Sequence, residues 1–458
     1  MALIKSISGI RGTIGGVPGE NLTPLDLVKF TSAFAAFLES TNNRKIVVGR
    51  DGRISGKMVS DLCVSTLVAC GYHVVDLGIT TTPTVELAVK NEKAAGGIIL
   101  TASHNPKEWN ALKLLNADGE FLNNEDGLQI LKIAERENFV YRPVNELGKV
   151  ETNTGYLDFH IDAVCNYPLV DVEAITKSKF KIVVDAINSS GALYVPALLK
   201  RLGVKDIVVI NGEINGKFDH NPEPLPKNLT ALSNEVVSQK ASLGIAVDPD
   251  VDRLCFVCED GSMFGEEYTL VAVADYILSK RKGNTVSNMS STKSLKEITH
   301  AHGGEYFPSA VGEVNVVTKM KEVNAVIGGE GNGGIIVPDF HYGRDALIGI
   351  ALFLTHLAHS KKSIKKFRGN FPDYFISKNK ITLGKEVDVT QLFKKIKEKY
   401  KNNPVNTDDG LKIEFGSDWV HLRTSNTEPI LRIYSESNFE TTADNIAKKI
   451  MQDINESM

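Results

Sequence analysis

Four short stretches carry residue types that could share one reaction. The first is Thr101-Ala102-Ser103-His104-Asn105-Pro106, which follows the apolar run Ala94-Ala95-Gly96-Gly97-Ile98-Ile99-Leu100. An apolar run that ends in polar residues reads as a buried strand emptying into a loop. Such a loop is a rigid place to present a reactive group, and Ser103 is the candidate, although a Ser-His pair alone is more often a polar turn. The second stretch is Asp248-Pro249-Asp250-Val251-Asp252-Arg253. Carboxylates this close repel one another unless a cation neutralises them. An all-oxygen set at Asp248, Asp250 and Asp252 suits Mg²⁺ or Ca²⁺ rather than a soft metal. An EF-hand fits poorly: Glu259 falls at the twelfth position, but Arg253 stands where the sixth needs glycine. Mg²⁺ commonly completes its shell with a phosphate oxygen, and a phosphoryl group on Ser103 is the obvious donor, so Ser103 joins the candidate ligands.

The third stretch, Arg423-Thr424-Ser425-Asn426-Thr427-Glu428-Pro429, offers a guanidinium, hydroxyls and backbone amides. A guanidinium fork matches phosphate oxygens; a polar hairpin would look the same. The fourth is Gly328-Gly329-Glu330-Gly331-Asn332-Gly333-Gly334, with five glycines in seven residues. No Gly-Lys-Ser/Thr follows, so it is not a Walker loop. Glu330 and Asn332 could hydrogen-bond sugar hydroxyls, and a glycine turn is the plainer reading.

The elements that must position these loops alternate. Thr23-Pro24-Leu25-Asp26 opens a helix, with Thr23 as N-cap and an acid three residues on. Strands are expected at 45–51, 73–77 and 96–100, with helices at 55–70 and 84–90. This makes an α/β domain with largely parallel strands. The pattern returns: Lys181-Ile182-Val183-Val184-Asp185 followed by Ser189-Ser190-Gly191 resembles Lys45-Ile46-Val47-Val48 followed by Asp51 and Ser55-Gly56. The match points to a duplicated domain. A strand at 243–247 ends at the aspartates. A third unit from about residue 260 has its strand Ala325-Val326-Ile327 ending in the glycine loop. The basic stretch 360–368 reads as a solvated helix and linker. Consecutive strands near 411–415, 419–422 and 430–435 and a helix over 441–454 form a terminal α+β unit, a mobile lid. Residues 1–22, with Ser8-Gly9-Ile10-Arg11-Gly12-Thr13, read as a solvated turn from which Arg11 could reach an anion.

The 458 residues are too many for one domain; three or four is the expectation at about 150 each. A net charge of −4 argues against a broad nucleic-acid footprint. No apolar run approaches the about 20 residues that span a bilayer, and no signal peptide opens the chain. Five cysteines are an odd number, so no disulfide framework is expected. Cys255 and Cys258 read as strand residues, and a reducing, cytoplasmic setting is expected.

Together the loops T-A-S-H-N-P, D-P-D-V-D-R, G-G-E-G-N-G-G and R-T-S-N-T-E-P, in that order along the whole chain, resemble the α-D-phosphohexomutase family. The resemblance implies an α/β fold of four domains: three duplicated α/β domains with mixed sheets and a C-terminal α+β lid. The limits expected are 1–150 with the phosphoserine loop, 151–257 with the metal loop, 258–368 with the sugar loop and 369–458 with the phosphate loop. It implies that Ser103 is the phosphorylated serine, that Asp248, Asp250 and Asp252 bind Mg²⁺, and that Glu330 and Asn332 read the sugar. Arg423, Ser425, Asn426 and Thr427 would grip the non-reacting phosphate. Arg11 and Arg253 match arginines beside the phosphoserine, His104 stands next to it, and Lys113 matches a lysine proposed for acid/base work. Two departures stand out. Many members end the sugar loop in Ser-Gly-His, where this chain has Asn332-Gly333-Gly334, and the family's Asn-Gly before the lysine reads Asn110-Ala111.

The implied activity moves a phosphoryl group between the 6- and 1-positions of a hexose phosphate. It passes through phospho-Ser103 and a bisphosphorylated sugar, with a hexose 1,6-bisphosphate as activator. Glucosamine phosphate is the favoured substrate, glucose or mannose phosphate the second. The expected partner is a sugar phosphate, with no nucleic acid or membrane, and the chain as monomer or homodimer. A non-catalytic sugar-phosphate sensor on the same fold is one rival, disfavoured by four intact loops. A serine hydrolase using Ser103 and His104 is another. It lacks G-x-S-x-G, and neighbouring residues at a strand end tend to point apart.

Overall fold

The computed structural model describes residues 3–6, 9–384, 387–424 and 430–457. Ser425, Asn426 and Thr427 lie outside the described residues.

Three of the four sheets repeat one plan. In the first, strands Lys45–Arg50, His73–Ile79, Gly96–Leu100 and Trp109–Leu115 lie in the spatial order fourth, third, first, second. The first three run parallel and the fourth is antiparallel to the third. The second sheet does the same with Lys181–Asp185, Asp206–Ile210, Leu243–Val247 and Leu254–Cys258. The third does so with Asn284–Asn288, Tyr306–Ser309, Ala325–Glu330 and Gly334–Ile336. Each central third strand is covered on both faces, which is why Gly96–Leu100 and Leu243–Val247 read as unbroken apolar or glycine runs, buried at every position. In all three copies the short connection from the third strand to the fourth carries the chemistry: Ser103, then the aspartates, then the glycine loop.

The fourth sheet is antiparallel throughout, in the order Phe375–Thr382, Ile430–Ser437, Asp418–Thr424, Leu411–Phe415, Val405–Asn406. Helices Val389–Lys399 and Glu440–Ser457 join it around a separate core that includes Leu392, Ile396, Leu422, Ile433, Ala447 and Ile450. The second and third sheets instead share one continuous core, in which Phe256, Phe264, Phe353 and Phe367 stack and abut. Among the described residues no helix is long and apolar enough to cross a membrane.

Several expectations change. Residues 9–13 are not a solvated turn. Gly9–Thr13 is a strand, placing Arg11 opposite Ala111 of Trp109–Leu115. A Cβ at Gly9, which has φ +122, would meet Leu112 O at 2.2 Å, so this glycine serves close strand approach rather than flexibility. With Ile4–Ser6 and Gly9–Thr13 both added antiparallel, the first sheet is more mixed than simple alternation predicts. The basic stretch is not wholly solvated either: the short helix Ile364–Arg368 buries Ile364 and Phe367, three apart and so on one face. The thiols of Cys255 and Cys258 are free and buried on their strand, and burial pushes the Cys258 thiol up to about 11.

Candidate active site

Ser103 sits at φ +48, a left-handed conformation that turns the chain sharply at the end of Gly96–Leu100. Its Oγ donates to Asp248 Oδ2 at 2.7 Å, joining the first loop to the second. His104 Nδ1 lies 3.3 Å from the same Oγ. The expectation that neighbouring side chains point apart therefore fails here, because the left-handed residue breaks the extended alternation. Burial, and then Arg253 and Arg11, hold the His104 pKa well below the usual histidine range. Burial and Arg253 likewise lower the pKa of Arg11. Two guanidiniums thus converge beside His104, the serine's neighbour; Arg253 pairs with Glu223 Oε1 at 3.3 Å, while its buried Nε has no hydrogen-bond partner and lies 4.0 Å from Asp252 Oδ1. This is a place for an anion.

The acidic loop that Ser103 bonds to is a place for a cation. One oxygen from each of Asp248, Asp250 and Asp252 lies within 4.8 Å of the others, and all three residues are buried. Asp250 Oδ1 and Asp252 Oδ1 have no hydrogen-bond partner. Buried, unpartnered carboxylate oxygens are costly unless charge is supplied to them. Burial first, then Asp250 and Asp252, raise the Asp248 pKa well above the usual carboxylate range. Hard oxygen donors with free lone pairs fit Mg²⁺, and Asp248, Asp250, Asp252 and a phosphate on Ser103 would hold it. Val251, between two of the acids, also takes a left-handed conformation, φ +61, rare for a β-branched residue. The twist it imposes accompanies a backbone that curls around Asp248, whose Oδ1 accepts from Asp252 N and Arg253 N at 3.1 Å each.

Lys113 reaches in from Trp109–Leu115. Its ammonium lies 2.7 Å from Asp250 Oδ2 and 3.8 Å from Asp252 Oδ2. Burial works against its charge, yet the two aspartates outweigh it and raise its pKa. Thr82 Oγ1 donates to Asp250 Oδ2 at 2.6 Å.

The glycine loop packs against these groups. Glu330 is 3% exposed and already engaged: Oε1 accepts from Asn288 Nδ2 at 2.8 Å and Gly312 N at 3.1 Å, and Oε2 from Arg344 at 2.5 Å. It would reach a sugar hydroxyl only by exchanging one of these bonds. Asn332 Oδ1 accepts from Gly334 N at 3.2 Å, and its Nδ2 lies 3.4 Å from Glu330. On the fourth sheet, Arg423 Nε donates to Asp409 Oδ2 at 2.8 Å, and the same oxygen accepts from Val311 N of the third unit at 2.9 Å. The lid therefore meets the third unit at the base of the phosphate loop.

Comparison with known proteins agrees with this geometry. Four family models match in chain order, described as phosphoglucomutase/phosphomannomutase: alpha/beta/alpha domain I over residues 4–141, domain II over 158–261, domain III over 265–375, and the C-terminal domain over 384–453. A Thermococcus kodakarensis phosphoglucomutase/phosphomannomutase is 36% identical over 94% of this chain and 95% of its own length. The chain belongs to the α-D-phosphohexomutase family. A phosphoglucosamine/phosphogalactosamine mutase of Sulfurisphaera tokodaii is 32% identical over 98% of each chain. A solved phosphoglucomutase/phosphomannomutase family protein of Burkholderia thailandensis shares the fold at TM-score 0.86, with 24% identity over 99% of this chain and 97% of that one.

For a phosphohexomutase fold, the chain also supplies positioning residues that motif reading misses. Arg53, 1% exposed, pairs with Asp51 through Nε at 3.0 Å. Its two terminal nitrogens donate to the carbonyls of Pro106 at 2.7 Å, Trp109 at 3.0 Å, Asn105 at 2.7 Å and Ser103. Asp51 Oδ2 also accepts from Thr101 Oγ1 at 2.7 Å, and that oxygen in turn accepts from Ser103 N at 2.9 Å. One buried ion pair thus fixes both ends of the serine loop. The signal available was Arg50-Asp51-Gly52-Arg53, charged residues at the same strand edge as Ser103. Arg53→Lys keeps the charge beside Asp51 but cannot serve four carbonyls. It should lower kcat about 100-fold, the cost of an ångström-scale misplacement, with KM near wild type. Steady-state kinetics beside a thermal melt checks this; a KM rise without a kcat loss would contradict it.

Proposed function

We propose that the protein interconverts hexose 6-phosphate and hexose 1-phosphate through phospho-Ser103 and a hexose 1,6-bisphosphate. Glucosamine phosphate is the favoured substrate and glucose or mannose phosphate the second, a preference resting on the names of its relatives. The observation that carries the reading is Ser103 Oγ bonded to Asp248 of the acidic triad, with His104 beside it under the influence of Arg253 and Arg11. Each proposed domain, 1–150, 151–257, 258–368 and 369–458, brings one loop, so a single chain holds a complete set.

Arg11 and Arg253 offset the charge of the phosphoryl group on Ser103 and orient it toward the sugar hydroxyl. Bound Mg²⁺ supplies Lewis-acid stabilisation of that group's oxygens. Arg53 and Thr101 keep the Ser103 backbone still while Oγ loses and regains phosphate. His104, 3.3 Å from Ser103 Oγ, and Lys113, paired with Asp250, are the candidates for moving the hydroxyl proton. Arg423, with Ser425, Asn426 and Thr427 by resemblance, grips the phosphate that is not reacting. Glu330 and Asn332 meet the sugar ring. The sugar must turn over between half-reactions, which favours a grip on a lid that opens. A serine that starts without phosphate needs a hexose 1,6-bisphosphate to charge it. Free cysteines accord with a cytoplasmic setting.

Turnover of a panel of hexosamine and hexose 1-phosphates, primed with bisphosphate and followed by peptide mapping of Ser103, tests the reading. Phosphate on Ser103 with turnover of at least one sugar is expected. An unmodified Ser103 with no turnover across the panel would end it.

Arg423 makes a separate prediction. A charge-assisted phosphate contact is worth about 1.5–3 kcal/mol, so Arg423→Ala should raise KM about 10- to 100-fold. Arg423→Lys should recover only part of this, because an ammonium lacks the paired fork. An alanine variant with unchanged KM and kcat would make this loop a plain hairpin.

A further inference from the structure

Arg344, at the end of the segment that links Gly334–Ile336 to helix Ala346–Ser360, is in none of the four motifs, yet its side chain lies among three carboxylates, two of them from the motifs. It donates to Asp252 Oδ2 of the metal loop at 2.7 Å and to Glu330 Oε2 of the sugar loop at 2.5 Å, and ion-pairs with Glu313 Oε2 at 3.0 Å. Its own backbone N–H donates to Glu313 Oε1 at 3.1 Å. The residue is 8% exposed. A guanidinium is the one side chain that can serve several carboxylates in a fixed plane.

The neighbouring glycine is fitted to it. A Cβ at Gly334 would lie 2.3 Å from Arg344 Cδ and 3.1 Å from its Cγ. The φ of Gly334 is outside the left-handed region, so its backbone would accept any residue. Gly333 is different: φ +85, with Leu254 O at 2.1 Å from a notional Cβ, demands glycine for its own backbone. Position 334 therefore lacks a side chain because Arg344 occupies the space. That accounts for a glycine at 334 where many members of the family have histidine.

We propose that Arg344 is the positioning residue that couples the metal loop to the sugar loop, and that Gly334 exists to admit it. The proposal rests on the mutase reading. By binding Asp252 Oδ2, Arg344 leaves Oδ1, which is buried without a hydrogen bond and 4.0 Å from Arg253 Nε, as the one presented to a cation. By binding Glu330 Oε2 it sets the carboxylate that faces the sugar. Its charge also opposes a dication at the same acids, so it holds metal affinity down while keeping geometry right.

Arg344→Ala should therefore show an unusual pair of changes. Mn²⁺, followed by electron paramagnetic resonance on unphosphorylated protein, should bind about ten-fold tighter, because the Coulomb opposition is gone. In Mg²⁺, kcat should fall about 10- to 100-fold because Asp252 and Glu330 lose their registration. Arg344→Lys keeps the charge, so Mn²⁺ affinity should stay near wild type while the sugar KM rises, since an ammonium cannot hold both carboxylates in one plane. Gly334→Ala should displace Arg344 and shift both readouts in the direction of Arg344→Ala. Added to Arg344→Ala it should do little more, as expected of two changes acting through one contact. A fold defect would weaken metal binding and turnover together; if Arg344→Ala does not fold, Arg344→Lys and Gly334→Ala decide the matter. Unchanged or weaker Mn²⁺ binding in Arg344→Ala overturns the proposal. So does Gly334→Ala with wild-type behaviour, or Arg344→Lys with wild-type KM. Mn²⁺ binding needs no turnover, so tighter binding beside an inactive sugar panel would sink the mutase reading and leave the coupling intact.

Discussion

Ser103→Ala is expected to lose turnover by roughly four to six orders of magnitude, the scale on which removal of a covalent nucleophile is felt. A methyl group offers no oxygen for the phosphoryl group to leave or rejoin. The loop should otherwise survive. Alanine takes φ +48 at a cost close to that of serine. The clamp from Arg53 acts on backbone carbonyls, which the substitution does not touch. Arg11, Arg253 and Arg423 are also unaltered, so a sugar phosphate should still bind, and calorimetry should find Kd within a few-fold of wild type. Intact-mass measurement after incubation with a hexose 1,6-bisphosphate should show a phosphate gained by wild type and none by the variant. Turnover within ten-fold of wild type would mean that the serine is not the carrier and that the cleft has been read from the wrong residue.

Much of this site was legible because the loops interrupt buried strands. Leu100 to Thr101 and Val247 to Asp248 are changes from apolar to polar across one peptide bond, and the strands before them are covered on both faces. The duplication showed through Lys45–Asp51 and Lys181–Asp185, which take the same first place in their sheets. Its third copy was harder to see, because Asn284-Thr285-Val286-Ser287-Asn288 is mostly polar yet buried at four of five positions. Thr285 and Ser287 bond Thr299 and Tyr306, partners that local pattern does not reveal.

The residues that escaped reading act over distance. Arg53 bonds carbonyls some fifty positions later, Arg344 reaches back to Asp252, and Asp409 holds Arg423 while it accepts from Val311. A charged residue beside a glycine can mark a strand edge, as Arg53 does, but gives no local sign of the distant groups it holds. The segment around Arg11 reads as a turn for a related reason. Gly9-Ile10-Arg11-Gly12-Thr13 has poor strand propensity, and becomes a strand through pairing with Trp109–Leu115, about a hundred residues away.

Asp248→Asn should separate the folding and catalytic roles of the aspartates. In chelator the variant is expected to melt about 2–4 °C above wild type, the shift that about 1 kcal/mol produces in a domain of this size. The amide is nearly isosteric. Its oxygen keeps the bonds from Asp252 N and Arg253 N, and its NH2 faces Ser103 Oγ, which can accept where it formerly donated. What changes is charge: one of three mutually repelling, buried carboxylates is gone. Burial and its two neighbours raise the folded pKa of Asp248, so the folded metal-free protein holds this proton more tightly than the unfolded chain. The resulting stability is fully present below the ordinary carboxylate value and is lost as pH rises through the raised one. Metal-free wild type should therefore weaken with rising pH across that interval, and the variant should weaken less. Mg²⁺ reverses the ranking. It stabilises wild type in proportion to occupancy, while the variant, with one charged ligand fewer, should gain little. Loss of several kcal/mol of charge stabilisation at the transferring group should cut kcat at least about 100-fold. Melting curves of both proteins in chelator and in Mg²⁺, read beside their turnover, decide the point. If the variant melts below wild type in chelator, the triad is not under repulsive strain. If it gains as much from Mg²⁺ as wild type does, the cation is held elsewhere.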